Sequence, residues 1–192
     1  MKQENSDEFV LSEINKLKTL GYDQIRTPGG SELKEVHYSG VFLYTYNIEK
    51  KQFFFLGVPY DSDFYLNHKS NGHTKKEDES PTQTARREVY EETGLLVDEG
   101  DLDLILSYSV KHRTDETKLH QKFFYMTSKF NGTLSNFLDQ PNPIDNETST
   151  PIWMSAKLFK KVLYYGHQQA FKRAVEMLRL VNAEYYYALS NI

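Results

Sequence analysis

Apolar positions along the chain fall into two rhythms. Over residues 36–46 and 52–58 the runs VHYSGVFLYTY and QFFFLGV are rich in β-branched and aromatic residues. They read as neighbouring strands, joined by the hairpin-length turn NIEKK, with Gly40 inside the first. LDLILSYSV (102–110) and HQKFFYMTSKF (120–130) predict two more strands flanking the polar loop KHRTDETKL, and PIWM (151–154) a short fifth. Helical spacing takes over elsewhere. Residues 7–20 place Phe9, Leu11, Ile14, Leu17 and Leu20 on one face of an amphipathic helix ending at Gly21. SAKLFKKVLYY and residues 167–189 predict two C-terminal helices split near Gly166, the second burying Ala170, Phe171, Ala174, Val175, Leu178 and Val181. Turn-rich stretches fill the gaps: TPGGS at 27–31, the mixed, loop-like residues 59–71, and a long surface loop over 131–150.

Between strands lies one more helix with clear ends. Ser80 caps it, Pro81 suits its first turn, Gln83 completes a capping box and Gly94 stops it. That is about 13 residues, near 20 Å at 1.5 Å per residue. Strands, helix, strands and then helices fit a mixed sheet between helical layers.

Composition narrows the class. The chain has 192 residues, 39% of them hydrophobic, and no run of 18 apolar residues to cross a membrane. The start, MKQENSDEFV, lacks a basic-then-apolar leader, and there are no cysteines to form disulfides or thiolate metal sites. Both features predict a cytoplasmic protein. Net charge is −4, yet residues 77–103 carry ten acidic side chains against Arg86 and Arg87 alone. Such a patch repels a nucleic-acid backbone, so neither nucleic acid nor membrane is an expected partner.

The acidic residues are not scattered. Glu88, Glu91 and Glu92 stand at i, i+3 and i+4, within an arc of about 100° on the predicted helix. Ala85 and Val89 border that arc and face a sheet, and Arg87 pairs with Glu91 four residues on. Like charges so close repel, and a helix needing only solubility alternates its signs. A divalent cation shared by the carboxylates resolves the crowding.

These residues resemble the Nudix box, G-x5-E-x7-R-E-U-x-E-E-x-G-U, with U a bulky aliphatic. Glu79, Arg87, Glu88, Val89, Glu91, Glu92, Gly94 and Leu95 match it in spacing. The departures are Gly72, which stands seven residues before Glu79 instead of six and leaves His73 at the strict first position, and Asp78, where many members carry glycine. The resemblance implies an α/β fold, the Nudix-type α/β/α sandwich with a mixed β-sheet, over residues 31–192. Residues 1–30 are expected to form an N-terminal helical extension, placed to cap the core or to pack on a partner chain in a homodimer.

It also implies Mg²⁺-dependent hydrolysis of a phosphoanhydride bond, with Mn²⁺ as the alternative ion. Hard cations of this kind take carboxylate oxygens and retain water. By the resemblance, Glu88 and Glu92 hold the metal, Glu91 and Glu79 serve further ions or the loop junction, and Arg87 orients a glutamate. Glu147, five residues before Ile152, is the candidate general base. Lys69 with Gly72 and His73 is similar to the lead-in of enzymes that cleave dinucleoside polyphosphates or diphosphoinositol polyphosphates. Lys69 and Arg113 are therefore candidate polyphosphate contacts and Tyr65 a candidate base-stacking partner. The implied substrate is a nucleoside diphosphate linked to another moiety, a dinucleoside polyphosphate ahead of ADP-ribose, nucleotide sugars and nucleoside triphosphates. From another class, the alternative is a Nudix-fold nucleotide-binding regulator that cleaves nothing.

Overall fold

The computed structural model describes residues 34–59, 66–67, 70–73, 80–111, 118–136 and 150–192. The helix expected at 7–20, the turn at 27–31 and most of the loop over 131–150 lie outside these. Contacts divide the chain into two units, residues 38–106 with 123–192, and residues 1–37 with 107–122. Of the latter, the described residues are the outer parts of three strands.

Why the larger unit layers as it does is visible in one strand. In β1 (Lys34–Asn47), Val41, Phe42 and Leu43 are all buried. Successive side chains of a strand point to opposite faces, so this run requires cover on both sides. Val41 and Leu43 join Leu56, Ala85, Val89, Leu95, Val97 and Tyr125 in one core. Phe42 points the other way, its ring 6.0 Å from that of Phe159 and 5.7 Å from that of Phe171. The next strand, β2 (Gln52–Pro59), repeats the division. Leu56 enters the first core, while Phe55 meets Phe171 edge-on at 5.0 Å and stacks on Phe159 at 5.3 Å.

The helices that supply these partners are α1 (Pro81–Thr93) on one side, and α2 (Ala156–Val162) and α3 (Gln168–Arg179) on the other. A last helix, α4 (Ala183–Leu189), sets Tyr185 against Phe53, ring centroids 4.7 Å apart. The predicted α/β/α sandwich is the fold.

The remaining strands are β3 (Leu66–Asn67), β4 (Ser70–His73), β5 (Leu95–Leu96), β6 (Asp103–Lys111), β7 (Lys118–Thr127), β8 (Asn131–Gly132) and β9 (Ile152–Ser155). The large sheet runs β3-β2-β1-β7-β6, with β4 added to β1 and β9 to β2. β1 and β2 form the expected antiparallel hairpin, with Asn47 opposite Gln52 and Lys51 in the turn at φ 48°. Among the described residues, no helix is long and apolar enough to cross a membrane.

Two expectations need correction. Residues 59–71 read as loop, yet they contain β3 and the start of β4, paired to Val58–Pro59 and to Tyr38–Val41. These short strands carry no alternating pattern of their own. Backbone bonds offered by β1 and β2 define them. Residues 167–189 read as one helix, but it breaks after Arg179, and Asn182 starts α4 by accepting a hydrogen bond from the Tyr185 amide at 2.8 Å. The break rotates Val181 off the apolar stripe, and it is 62% exposed. His167 stands at the N-cap position of α3 and is buried, with Nε2 3.3 Å from the Tyr38 hydroxyl.

Phe171→Ala is therefore expected to cost about 3–5 kcal/mol, as for other buried aromatics cut to alanine. Val181→Ala should stay within about 0.5 kcal/mol. Urea unfolding of the two variants checks both, and equal losses would restore the unbroken helix.

Candidate active site

α1 is held at both ends by interactions its sequence dictates. Ser80 has extended φ/ψ (−67°, 160°), its Oγ accepts from the Gln83 amide at 3.1 Å, and Gln83 Oε1 accepts from the Ser80 amide at 2.9 Å. This is the capping box that the spacing predicts. From β1, the Ser39 hydroxyl donates to the Pro81 carbonyl at 2.7 Å, tying the first turn to the sheet.

At the other end Gly94 lies at φ 74° and its amide donates to the Tyr90 carbonyl at 2.9 Å. A side chain there meets Ser135 Oγ at 2.5 Å and the Thr133 carbonyl at 2.9 Å. Glycine is required twice over, for conformation and for room. The Thr93 hydroxyl donates to the Val89 carbonyl at 2.6 Å and accepts from the Leu95 amide at 3.1 Å, while the Ser135 amide donates to the Thr93 carbonyl at 2.8 Å. Leu95 then pairs with Gly132 in the β5–β8 ladder.

So fixed, the helix buries Ala85 and Val89 against the sheet. On the neighbouring face Glu88 and Glu92, one turn apart, are only 7% and 6% exposed. Arg87 Nη1 donates to Glu88 Oε1 at 2.5 Å and to Glu91 Oε2 at 2.9 Å. The i,i+4 pair with Glu91 is the expected one. The grip on the adjacent Glu88 is additional, and it fixes a buried carboxylate from the side. One guanidinium thus bridges two carboxylates.

Burying ionised carboxylates is expensive unless they are paired or coordinate a metal. Glu88 and Glu92 offer hard oxygen donors on one face, the donor type that Mg²⁺ and Mn²⁺ take. The residues fit a divalent ion. Among the described residues, no group of three acidic or histidine side chains is gathered for one. Beneath the helix, burial and then the Glu99 carboxylate push the Tyr125 phenol up to about 12, so it is a neutral member of the core at ordinary pH.

Of the residues singled out in the sequence, Arg87, Glu88 and Glu91 come together, and Glu92 lies one turn on from Glu88 in the same helix. Glu79, Glu147, Lys69, Tyr65 and Arg113 lie outside the described residues. Gly72 does not sit in an opening loop but in β4, opposite Ser39. Ser39 and Ser135 carry no local motif. Their contacts to α1 join residues 42 apart in the chain in both cases, which is why neither is visible in the box itself.

A family model of the NUDIX domain matches residues 70–174, more than half of the chain. The chain belongs to the Nudix family. Solved structures agree on the fold. The Escherichia coli ORF135 protein is similar with a TM-score of 0.54 and 14% identity, over 79% of this chain and 96% of that one. The NUDIX domain of Shewanella oneidensis NrtR, complexed with ADP ribose, gives 0.54 and 16%, over 84% and 98%. The MutT protein from Bacillus halodurans gives 0.50 and 19%, over 73% and 80%. A comparison with curated proteins found no match. As a Nudix hydrolase the chain is a pyrophosphohydrolase, of a family that acts on nucleoside diphosphate derivatives and generally uses divalent metal ions.

Gly94→Ala is expected to destabilise by about 1–3 kcal/mol, from the strained backbone and the close Thr133 carbonyl. Gly100→Ala, with nothing within 4 Å of the added carbon, should be near neutral. Denaturant unfolding of both variants tests whether the end of α1 is a fixed point or a tolerant surface turn.

Proposed function

We propose that this Nudix hydrolase cleaves the P–O–P linkage of a nucleoside diphosphate joined to a second moiety, with dinucleoside polyphosphates its preferred class. The observation that carries the reading is the buried Glu88–Glu92 pair beside the Arg87 clamp. In this reading Glu88 and Glu92 hold Mg²⁺ (or Mn²⁺), with Glu91 and Glu79 available to further ions. A bound divalent ion neutralises phosphate oxygens and lowers the pKa of a water.

The chain's own residues divide the remaining work. Arg87 keeps Glu88 and Glu91 in fixed rotamers, so carboxylate positions do not have to be reorganised when substrate arrives. Glu147 takes the proton from the attacking water as its oxygen bonds to phosphorus. The bridging oxygen leaves with the other phosphoryl group, and no covalent enzyme intermediate is needed. Lys69 and Arg113 supply cations to a phosphate chain, and Tyr65 an aromatic face to a base. The preference for dinucleoside polyphosphates rests on Lys69 preceding Gly72 and His73. ADP-ribose and nucleotide sugars are the competing substrates. The cytoplasm is the proposed compartment and a homodimer the proposed assembly.

The test is phosphate or nucleotide release with Mg²⁺ across dinucleoside polyphosphates, ADP-ribose, nucleotide sugars and nucleoside triphosphates. Turnover should be highest on a dinucleoside polyphosphate and fall by about 10²-fold or more in Glu92→Gln, with the unfolding midpoint retained. A Glu92→Gln variant as active as the parent would remove the proposed role of the pair. Faster turnover on ADP-ribose would overturn the substrate preference alone.

A further inference from the structure

α1 has a second face. At about 100° per residue, Gln83, Arg86, Arg87 and Tyr90 lie roughly opposite Glu88 and Glu92. With Leu96 and Glu99, these four line an open surface groove of about 340 Å³. Its chemistry is mixed in a specific way. Arg86 is exposed and has no ion pair among the described residues. Tyr90 is 51% exposed and Leu96 47%, so an aromatic face and an aliphatic side chain stand open to solvent at the same place. Glu99 is held by the Thr82 hydroxyl at 2.5 Å and presents a carboxylate on the far side of Arg86 and Tyr90 in sequence, beyond the end of the helix.

We propose that this groove binds a nucleoside monophosphate. Arg86 pairs with the phosphate, Tyr90 and Leu96 take the base, and Glu99 accepts from a ribose hydroxyl or an exocyclic amine. Each of these is a contact that a guanidinium, a phenol ring and a carboxylate make readily. A single phosphate suits the site better than a chain of them, because Glu99 repels further negative charge. Arg87 belongs to both faces: it lines the groove, while its Nη1 holds Glu88 and Glu91. Occupancy of the groove therefore reaches the carboxylate side through one residue. That regulatory consequence rests on the hydrolase reading above, whereas the binding itself does not.

AMP titrated into the isotope-labelled full chain in EDTA, followed by amide NMR, reads binding without metal or turnover. Saturable shifts are expected at Gln83, Arg86, Tyr90, Leu96 and Glu99. Affinity should fall about tenfold or more in Arg86→Ala and in Tyr90→Ala, and be retained in Tyr90→Phe. Arg86→Lys should fall between, and a superimposable spectrum shows that each variant is folded. Shifts confined to other residues, unchanged affinity in both alanine variants, or inorganic phosphate binding as tightly as AMP would overturn the assignment. A chain that hydrolyses nothing leaves this titration intact, and a chain that ignores AMP leaves the hydrolase reading intact.

Discussion

Two carboxylates held almost out of water, one turn apart on a single helix, set the demands on the rest of the structure. Glu88 and Glu92 are each less than a tenth exposed, and Arg87 grips Glu88 and Glu91. Carboxylates buried on one helical face offer hard oxygen donors to an added cation. They also have to be held against their own repulsion, because a helix free to turn or fray would carry them into solvent. The ends of α1 supply that restraint: a capping box and the Ser39 hydroxyl at the start, Gly94 with Thr93 and Ser135 at the finish.

The sheet is arranged around the same requirement. β1 divides its side chains between two cores, sending Val41 and Leu43 beneath α1 and Phe42 towards α2 and α3. The aromatic packing of Phe55, Phe159 and Phe171 on the far side gives the strands a rigid backing. Ala85 and Val89 rest on that sheet, and their small and branched shapes bring the helix close. The carboxylates of the neighbouring face are thereby placed at a fixed height above it.

What the sequence displayed was largely what depends on near neighbours. The limits of α1 were legible because Ser80, Pro81, Gln83 and Gly94 act within a turn of themselves. The Arg87–Glu91 pair was legible from its i,i+4 spacing. The grip on Glu88 was not, since adjacent residues on a helix do not ordinarily face each other and only a long arginine side chain folding back can bridge them. β3 and β4 escaped because their hydrogen bonds, and not their composition, make them strands. The break before α4 had a local sign in Asn182, a good cap, but Val181 continued the apolar stripe and masked it. The groove beside Tyr90 could not be read at all, because Leu96 and Glu99 reach it only after the chain has turned at Gly94.

Everything above depends on the Glu88–Glu92 pair taking up a divalent cation. Calorimetric titration of Mg²⁺ into the full chain, in the absence of nucleotide, tests it most directly. Saturable uptake is expected of the parent chain, and its loss when Glu88 and Glu92 are both changed to glutamine, with the fold intact. No uptake by the parent, or equal uptake by the double variant, would contradict it.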